Sequence, residues 1–209
     1  NLMSLYHLVD AHEEKNSDGN LTTFIVRIAE LESTKRPALE RQFGDQYRLE
    51  DKRLITVLKE FTFLLEKEGK ASILNVKDVA KDAAKCEFPT VNYSFLPTDK
   101  QRRYCWTNAL SKPDLDWLDG IQKIDMQTGT ASKVATFGDA CYSGAPAFVP
   151  KKDASAEDNG YIIATVYKAD EHRNDMVILD ASTLKTLCRI ELKNHIPYQF
   201  HGEFQPTRI

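Results

Sequence analysis

The chain has 209 residues with 28 basic and 31 acidic side chains, a formal net charge of −3, 42% hydrophobic and 28% charged residues. That balance describes a folded globular chain long enough to bury a substantial core, and it lacks the basic surplus that a nucleic-acid partner requires. No run of eighteen apolar residues occurs, so the sequence contains no transmembrane helix of ordinary length.

The chain begins at Asn1 rather than Met and enters an apolar, strand-like stretch at once, with no basic region followed by an apolar leader. A strand at the very start needs neighbours, so the expectation is a truncated sequence, with processing as the alternative. Residues 22–28 (TTFIVRI) read as a second strand. The polar, charged stretch 35–57 is expected to be a surface insertion or connection with short helices. A hairpin follows: apolar alternation over 58–65, a polar turn at 66–69 and a return strand over 70–76. Residues 76–85 (VKDVAKDAAK) have the Lys and Ala content of a short helix. Residues 104–107 (YCWT) are strand-like. A second hairpin spans 120–137 around the turn Met126-Gln127-Thr128-Gly129-Thr130. The charged run 151–159 (KKDASAEDN) is a solvated loop with no chemistry assigned. Residues 161–167 (YIIATVY) form a strand, and a third hairpin covers 176–192 around Ala181-Ser182-Thr183-Leu184-Lys185.

These hairpins recur roughly every 60 residues, near the length of a four-stranded propeller blade. A β-sandwich of similar hairpins is the alternative. The propeller is favoured, with about three blades' worth of strands. A propeller closes only as a ring, so three blades would leave open edges, a second reason to expect an incomplete sequence. Cys86, Cys105, Cys141 and Cys188 stand far apart with no C-x-x-C pair. That spacing argues against a zinc ribbon, a thioredoxin motif or a disulfide framework, and for reduced, mostly buried thiols in a cytosolic setting.

The histidines are His7, His12, His172, His195 and His201. None belongs to an H-E-x-x-H motif or an i, i+4 pair, and a lone histidine is more often structural or exposed than a ligand. Context raises two. His7 lies in the extended apolar run Leu5-Tyr6-His7-Leu8-Val9, where a buried imidazole needs a partner or a metal. His201 precedes Gly202, at the end of a strand that could deliver it to a central axis. His172 sits in a charged turn and His195 in a loop; both are expected to be exposed.

Several segments, in order along nearly the whole chain, resemble the carotenoid cleavage oxygenase family. Tyr6-His7-Leu8-Val9-Asp10-Ala11-His12-Glu13-Glu14 is similar to its FH-x-x-NA-aromatic-EE segment. Cys86-Glu87-Phe88-Pro89-Thr90-Val91-Asn92 resembles its EFP-x-x-N segment. Gly144-Ala145-Pro146-Ala147-Phe148-Val149-Pro150, Glu157-Asp158-Asn159-Gly160-Tyr161, Leu179-Asp180-Ala181-Ser182-Thr183-Leu184 and Phe200-His201-Gly202 resemble its C-terminal signature.

The resemblance implies an all-β fold: a partial seven-bladed β-propeller comprising about the last three blades, with residues 1–209 as the C-terminal part of one propeller domain. It implies Fe(2+) on the axis, held by four histidines, of which His7 and His201 match the third and fourth. Glu87 matches a carboxylate that hydrogen-bonds a ligand imidazole, fixing its tautomer and raising its basicity. The implied reaction, in the full-length parent, is cleavage of a conjugated C=C bond of a carotenoid or apocarotenoid with O2. Stilbenoids are the second substrate class. The implied partners are an apolar polyene and O2, with no nucleic acid, no protein partner indicated and peripheral membrane contact left open; the implied location is cytoplasmic or membrane-associated.

Three departures matter. Asp10 replaces the family's usual Asn. His12 replaces an aromatic and is read as packing or surface rather than a ligand. Ala145 stands where the family usually has a second carboxylate, so His201 would need another acceptor such as water or a backbone carbonyl. That departure supports the alternative of a non-catalytic propeller that binds an apolar ligand, or an inactive fragment. Phe148, Tyr198, Phe200 and Phe204 are read first as core, with an apolar tunnel as the alternative.

Overall fold

A computed structural model describes residues 5–15, 21–31, 56–65, 69–95, 101–115, 117–197, 201–202 and 204–205. The strands are β1 (Leu5–Lys15), β2 (Leu21–Leu31), β3 (Thr56–Leu65), β4 (Ala71–Asp78), β5 (Cys86–Thr90), β6 (Tyr104–Ala109) and β7 (Gly120–Asp125). They continue with β8 (Thr130–Ala131), β9 (Ala135–Thr136), β10 (Cys141–Ser143), β11 (Ala147–Pro150), β12 (Gly160–Lys168), β13 (Arg173–Asp180) and β14 (Thr186–Glu191). A 3-10 turn lies at Ala169–Glu171, between β12 and β13.

Every described pairing is antiparallel, and the strands fall into three successive meanders. The first runs β1-β2-β3-β4. The second runs β5-β6-β7 and returns as the short β8 and β9, which both pair β7. In the third, β10 and β11 both pair β12, followed by β13 and β14. One described register pair, Thr56 opposite Cys86, joins the ladders of the first two meanders.

All three hairpins expected from the sequence are present, at β3-β4, at β7 with β8 and β9, and at β13-β14. The return arm of the second is split because residues 132–134 leave the ladder. The strands expected at 22–28, 104–107 and 161–167 lie in β2, β6 and β12. The helix expected at 76–85 does not form. Val76–Asp78 instead complete β4, pairing with Lys59, Glu60 and Phe61 of β3, and the rest is turn and coil. Sheet pairing overrides the modest helix propensity of a ten-residue segment. Most of the stretch 35–57 lies outside the described residues.

Two cores lie on either side of the middle meander. One gathers Val9, Ala29, Leu58, Val91, Cys105, Ile124 and Met126; the other gathers Trp106, Ile121, Ile162, Val166, Val177 and Leu179. Neighbouring residues explain this: Cys105 faces the first core and Trp106 the second, as alternate strand positions must. That is why β6 is buried from Cys105 to Ala109 without alternation. Trp106 binds the second seam: its Nε1–H donates to the Ala181 carbonyl at 2.9 Å, and its ring meets Phe148 at 4.7 Å between centroids. Phe148 is thus core, Phe204 is exposed, and Tyr198 and Phe200 lie outside the described residues. All four cysteines are free; three are buried and Cys188 is exposed. His172 and His195 are exposed and both lie against Tyr167, whose hydroxyl is 3.1 Å from His172 Nδ1 and whose ring meets that of His195 at 5.8 Å between centroids.

Candidate functional site

His7 and Glu87 lie in the first strands of the first two meanders, and each strand is irregular there. β1 departs from regular register on both sides of His7, between Leu5 and His7 and between Leu8 and Asp10. β5 has an extra residue between Glu87 and Thr90, opposite Asn108 and Trp106 of β6. The extra residue is Phe88, at φ 51°, a conformation costly for a residue with a side chain. Pro89 follows and brings no N–H to the ladder. In the third meander, Gly144-Ala145-Pro146 separates β10 from β11. Bulges of this kind re-aim side chains at a strand's edge.

β1 packs against β5, and this closes an 80-residue sequence separation into one contact. His7 Nδ1 lies 2.5 Å from Glu87 Oε2. The same oxygen accepts the Phe88 N–H at 2.5 Å, and Oε1 accepts the Thr56 hydroxyl at 3.1 Å. A carboxylate with these neighbours is an acceptor on both oxygens, so the His7 ring donates from Nδ1 and its Nε2 carries the lone pair. That Nε2 is 3.4 Å from Nε2 of His201, although 194 residues separate the two in sequence. The rings stand edge to face with centroids 5.0 Å apart. Phe88 completes a triangle, its ring 5.4 Å from each imidazole. The strained bulge is what turns Phe88 to this place.

His7, Glu87 and His201, singled out from widely separated motifs, therefore meet. Glu87 is buried, the His7 side chain is 24% exposed, and His201 is exposed and lies outside any assigned strand. Two ring nitrogens on one ion at about 2.1 Å each stand roughly 3.0 Å or somewhat more apart. The observed 3.4 Å, with one lone pair fixed by a carboxylate behind it, suits part of a metal donor set. Among the described residues no group of three or more His, Cys, Asp or Glu is arranged to hold an ion.

Sequence reasoning missed the ionic support beneath this site. Asp10 is 5% exposed; its Oδ1 accepts from Arg102 at 2.9 Å and its Oδ2 lies 3.6 Å from Arg27. Arg27 is itself buried, donating to Glu60 at 2.9 Å and to the Arg102 carbonyl at 3.3 Å, and Glu60 also pairs with Lys77 at 2.8 Å. Burial pushes the Glu60 carboxyl up, but hydrogen bonds from Lys77 and Arg27 outweigh it and hold the group below its ordinary value. Asp in place of Asn at position 10 thus has a reason: two guanidinium groups face it. His12 is buried beside this network, consistent with packing; burial foremost, then the charge of Arg27, hold its pKa below the ordinary value. Alternating charge and apolar residues along β1 and β2 was a signal that these strands bury polar groups.

Residues 1–206 match the family described as retinal pigment epithelial membrane protein. The chain is 36% identical over 125 residues to apocarotenoid-15,15'-oxygenase of Synechocystis sp., covering 58% of this chain and 25% of that protein. It is 35% identical over 116 residues to a chloroplastic 9-cis-epoxycarotenoid dioxygenase of Arabidopsis thaliana, covering 54% and 19%. It is 34% identical over 121 residues to the mitochondrial carotenoid-cleaving dioxygenase of Mustela putorius furo, covering 56% and 21%. The crystal structure of cobalt-substituted apocarotenoid oxygenase from Synechocystis superposes with a TM-score of 0.77 at 27% identity, covering 98% of this chain and 40% of that one. The matched segment is thus about a quarter of the first curated relative, and the chain overlays 40% of the solved one. The all-β meanders are a portion of that propeller fold, and the chain belongs to the retinal pigment epithelial membrane protein family, the family of the carotenoid cleavage oxygenases.

Proposed function

We propose that the protein to which this chain belongs cleaves a conjugated C=C bond of a carotenoid or apocarotenoid with O2 at Fe(II), with residues 1–209 forming the C-terminal part of its single propeller domain. The observation that carries this reading is the convergence of His7 and His201, with Glu87 behind His7. The relatives named above, whose names give carotenoid or apocarotenoid substrates, and the cobalt-substituted structure of one of them lend it further support. His7 and His201 would hold the ion through Nε2. Bound there, iron would supply the activation of O2 and the oxidation of the polyene. Glu87 keeps the His7 proton on Nδ1, so the metal-facing nitrogen stays a donor of electrons. The Phe88 ring, 5.4 Å from each imidazole, would shield one side of the pair from water. Two histidines are half of the implied four, so the isolated 209-residue chain is expected to bind iron poorly. The test is expression of the full-length protein with Fe(II) and several carotenoids, following loss of polyene absorbance and iron content. Wild type turning over while H7A and H201A lose iron is the expected result; a full-length protein with neither iron nor turnover would refute it.

A second reading, a non-catalytic propeller binding an apolar ligand, draws on Ala145. Stoichiometric iron that reacts with O2 in the full-length protein would reject it.

A further inference from the structure

Thr56 is the first residue of β3 and only 1% exposed. Opposite Cys86, it forms the one described register pair joining the first meander to the second. Its hydroxyl is bonded to the Cys86 carbonyl and lies 3.1 Å from Glu87 Oε1. One hydroxyl proton serves two acceptors, so the bond is shared. The other carboxylate oxygen is already occupied by the Phe88 N–H and His7 Nδ1, each at 2.5 Å. With Oε2 doubly engaged and Oε1 engaged by Thr56, the carboxylate plane cannot turn without breaking a bond. The direction of the His7 ring follows from that plane. A β-branched side chain places the hydroxyl at little entropic cost, since χ1 is already restricted.

We propose that Thr56 is a positioning residue for the His7 imidazole, acting through Glu87. The joint between the first two meanders and the orientation of a metal-facing ring are then one device: the contact that docks the sheets also sets the carboxylate. The inference rests on the reading that His7 holds a metal, and the experiment separates the two. The full-length protein, stripped of metal, is titrated with cobalt(II) against a competing chelator as wild type, T56V, T56S, E87Q and H7A. Affinity, the visible ligand-field bands of the cobalt form and the melting temperature of the metal-free protein are recorded.

T56V keeps the shape of Thr56 and removes the hydroxyl. It is expected to weaken cobalt binding about 3- to 10-fold, the effect of one lost hydrogen bond, and to shift the ligand-field bands towards those of E87Q. T56S, which restores the hydroxyl and deletes the methyl, is expected to return both to near wild type whatever its melting temperature. T56V matching wild type in affinity and bands overturns the inference, and so do T56V and T56S weakened equally, because then only packing matters. Unchanged cobalt stoichiometry in H7A overturns instead the assignment of His7 as a ligand, and the inference with it.

Discussion

Replacing His12 with phenylalanine is expected to stabilise the protein. The residue is 7% exposed, and among the described residues neither ring nitrogen has a hydrogen-bond partner. Glu14 Oε1 approaches Nε2 only to 3.9 Å. A neutral imidazole brings one donor and one acceptor into this place, and leaving a buried polar group unsatisfied costs about 1–3 kcal/mol. The six-membered ring is slightly larger and returns part of the gain through tighter packing. The net expectation is about 1–2 kcal/mol, or roughly 2–8 °C in melting temperature for a unit of this size. The pH dependence is more diagnostic than the size. Burial, then the Arg27 charge, lower the folded pKa of His12 from 6.5. Between the folded and unfolded values the unfolded chain binds more protons, so wild-type stability falls as pH drops below about 6.5 and levels off below the folded value. The phenylalanine variant lacks this loss. Its advantage in thermal unfolding is therefore larger at about pH 5.5 than at about pH 8, on either side of the ordinary histidine value. A variant that melts no higher than wild type at pH 8, or whose advantage is the same at both, would refute the reasoning.

Two other expectations follow from the packing and the turns. W106A removes the side chain that links the second and third meanders and is expected to cost about 3–5 kcal/mol in urea unfolding, whereas W106F, which keeps an aromatic ring and loses the bond to the Ala181 carbonyl with part of the packing, costs less. D180N loosens the β13-β14 turn, where Asp180 Oδ1 accepts from the backbone and hydroxyls of Ser182 and Thr183 and Oδ2 from Lys151. Ser182 first, with Lys151 and Thr183, holds the Asp180 carboxyl well below the usual carboxylate range. Its contribution is present above the ordinary value near 3.8 and fades as pH falls through the lower folded one, so wild type and variant unfold apart at neutral pH and together in strong acid.

The hairpins were legible because alternation and turn chemistry are local, and the three-meander plan followed from their spacing. His7, Glu87 and His201 were legible because their motifs resemble a family. Nothing local in the sequence places residues 194 positions apart at 3.4 Å. Three features were not legible for a physical reason. The helix expected at 76–85 lost to a partner strand that begins 20 residues earlier, at Thr56. The buried network of Asp10, Arg27, Glu60 and Arg102 joins β1, β2, β3 and the segment before β6, and charges on strands ordinarily read as solvent-facing. Thr56 fell in the stretch 35–57 expected as a surface connection, whereas it is a buried first residue of β3 whose register pair with Cys86 puts its hydroxyl beside Glu87.

Ala145 occupies in the third meander the place that Glu87 occupies in the second. Glu87 lies at the bulge of β5, two residues before Pro89, and Ala145 lies in the break between β10 and β11, directly before Pro146. The interruption itself is kept, since a Cβ on Gly144 would collide with Thr165 of β12, so the backbone is built for a close approach whichever side chain follows. What differs is the carboxylate. If these irregularities exist to aim acceptors at imidazoles, A145E in the full-length protein should raise metal affinity by up to about 10-fold, the lower end of what a partner behind a ligand contributes. A145Q, which accepts less strongly, should fall between. Cobalt competition against a chelator measures both, with the metal-free melting temperature as control. Should A145E bind no more tightly while melting normally, the break at residues 144–146 serves strand geometry alone, and its likeness to the bulge of β5 carries no chemistry.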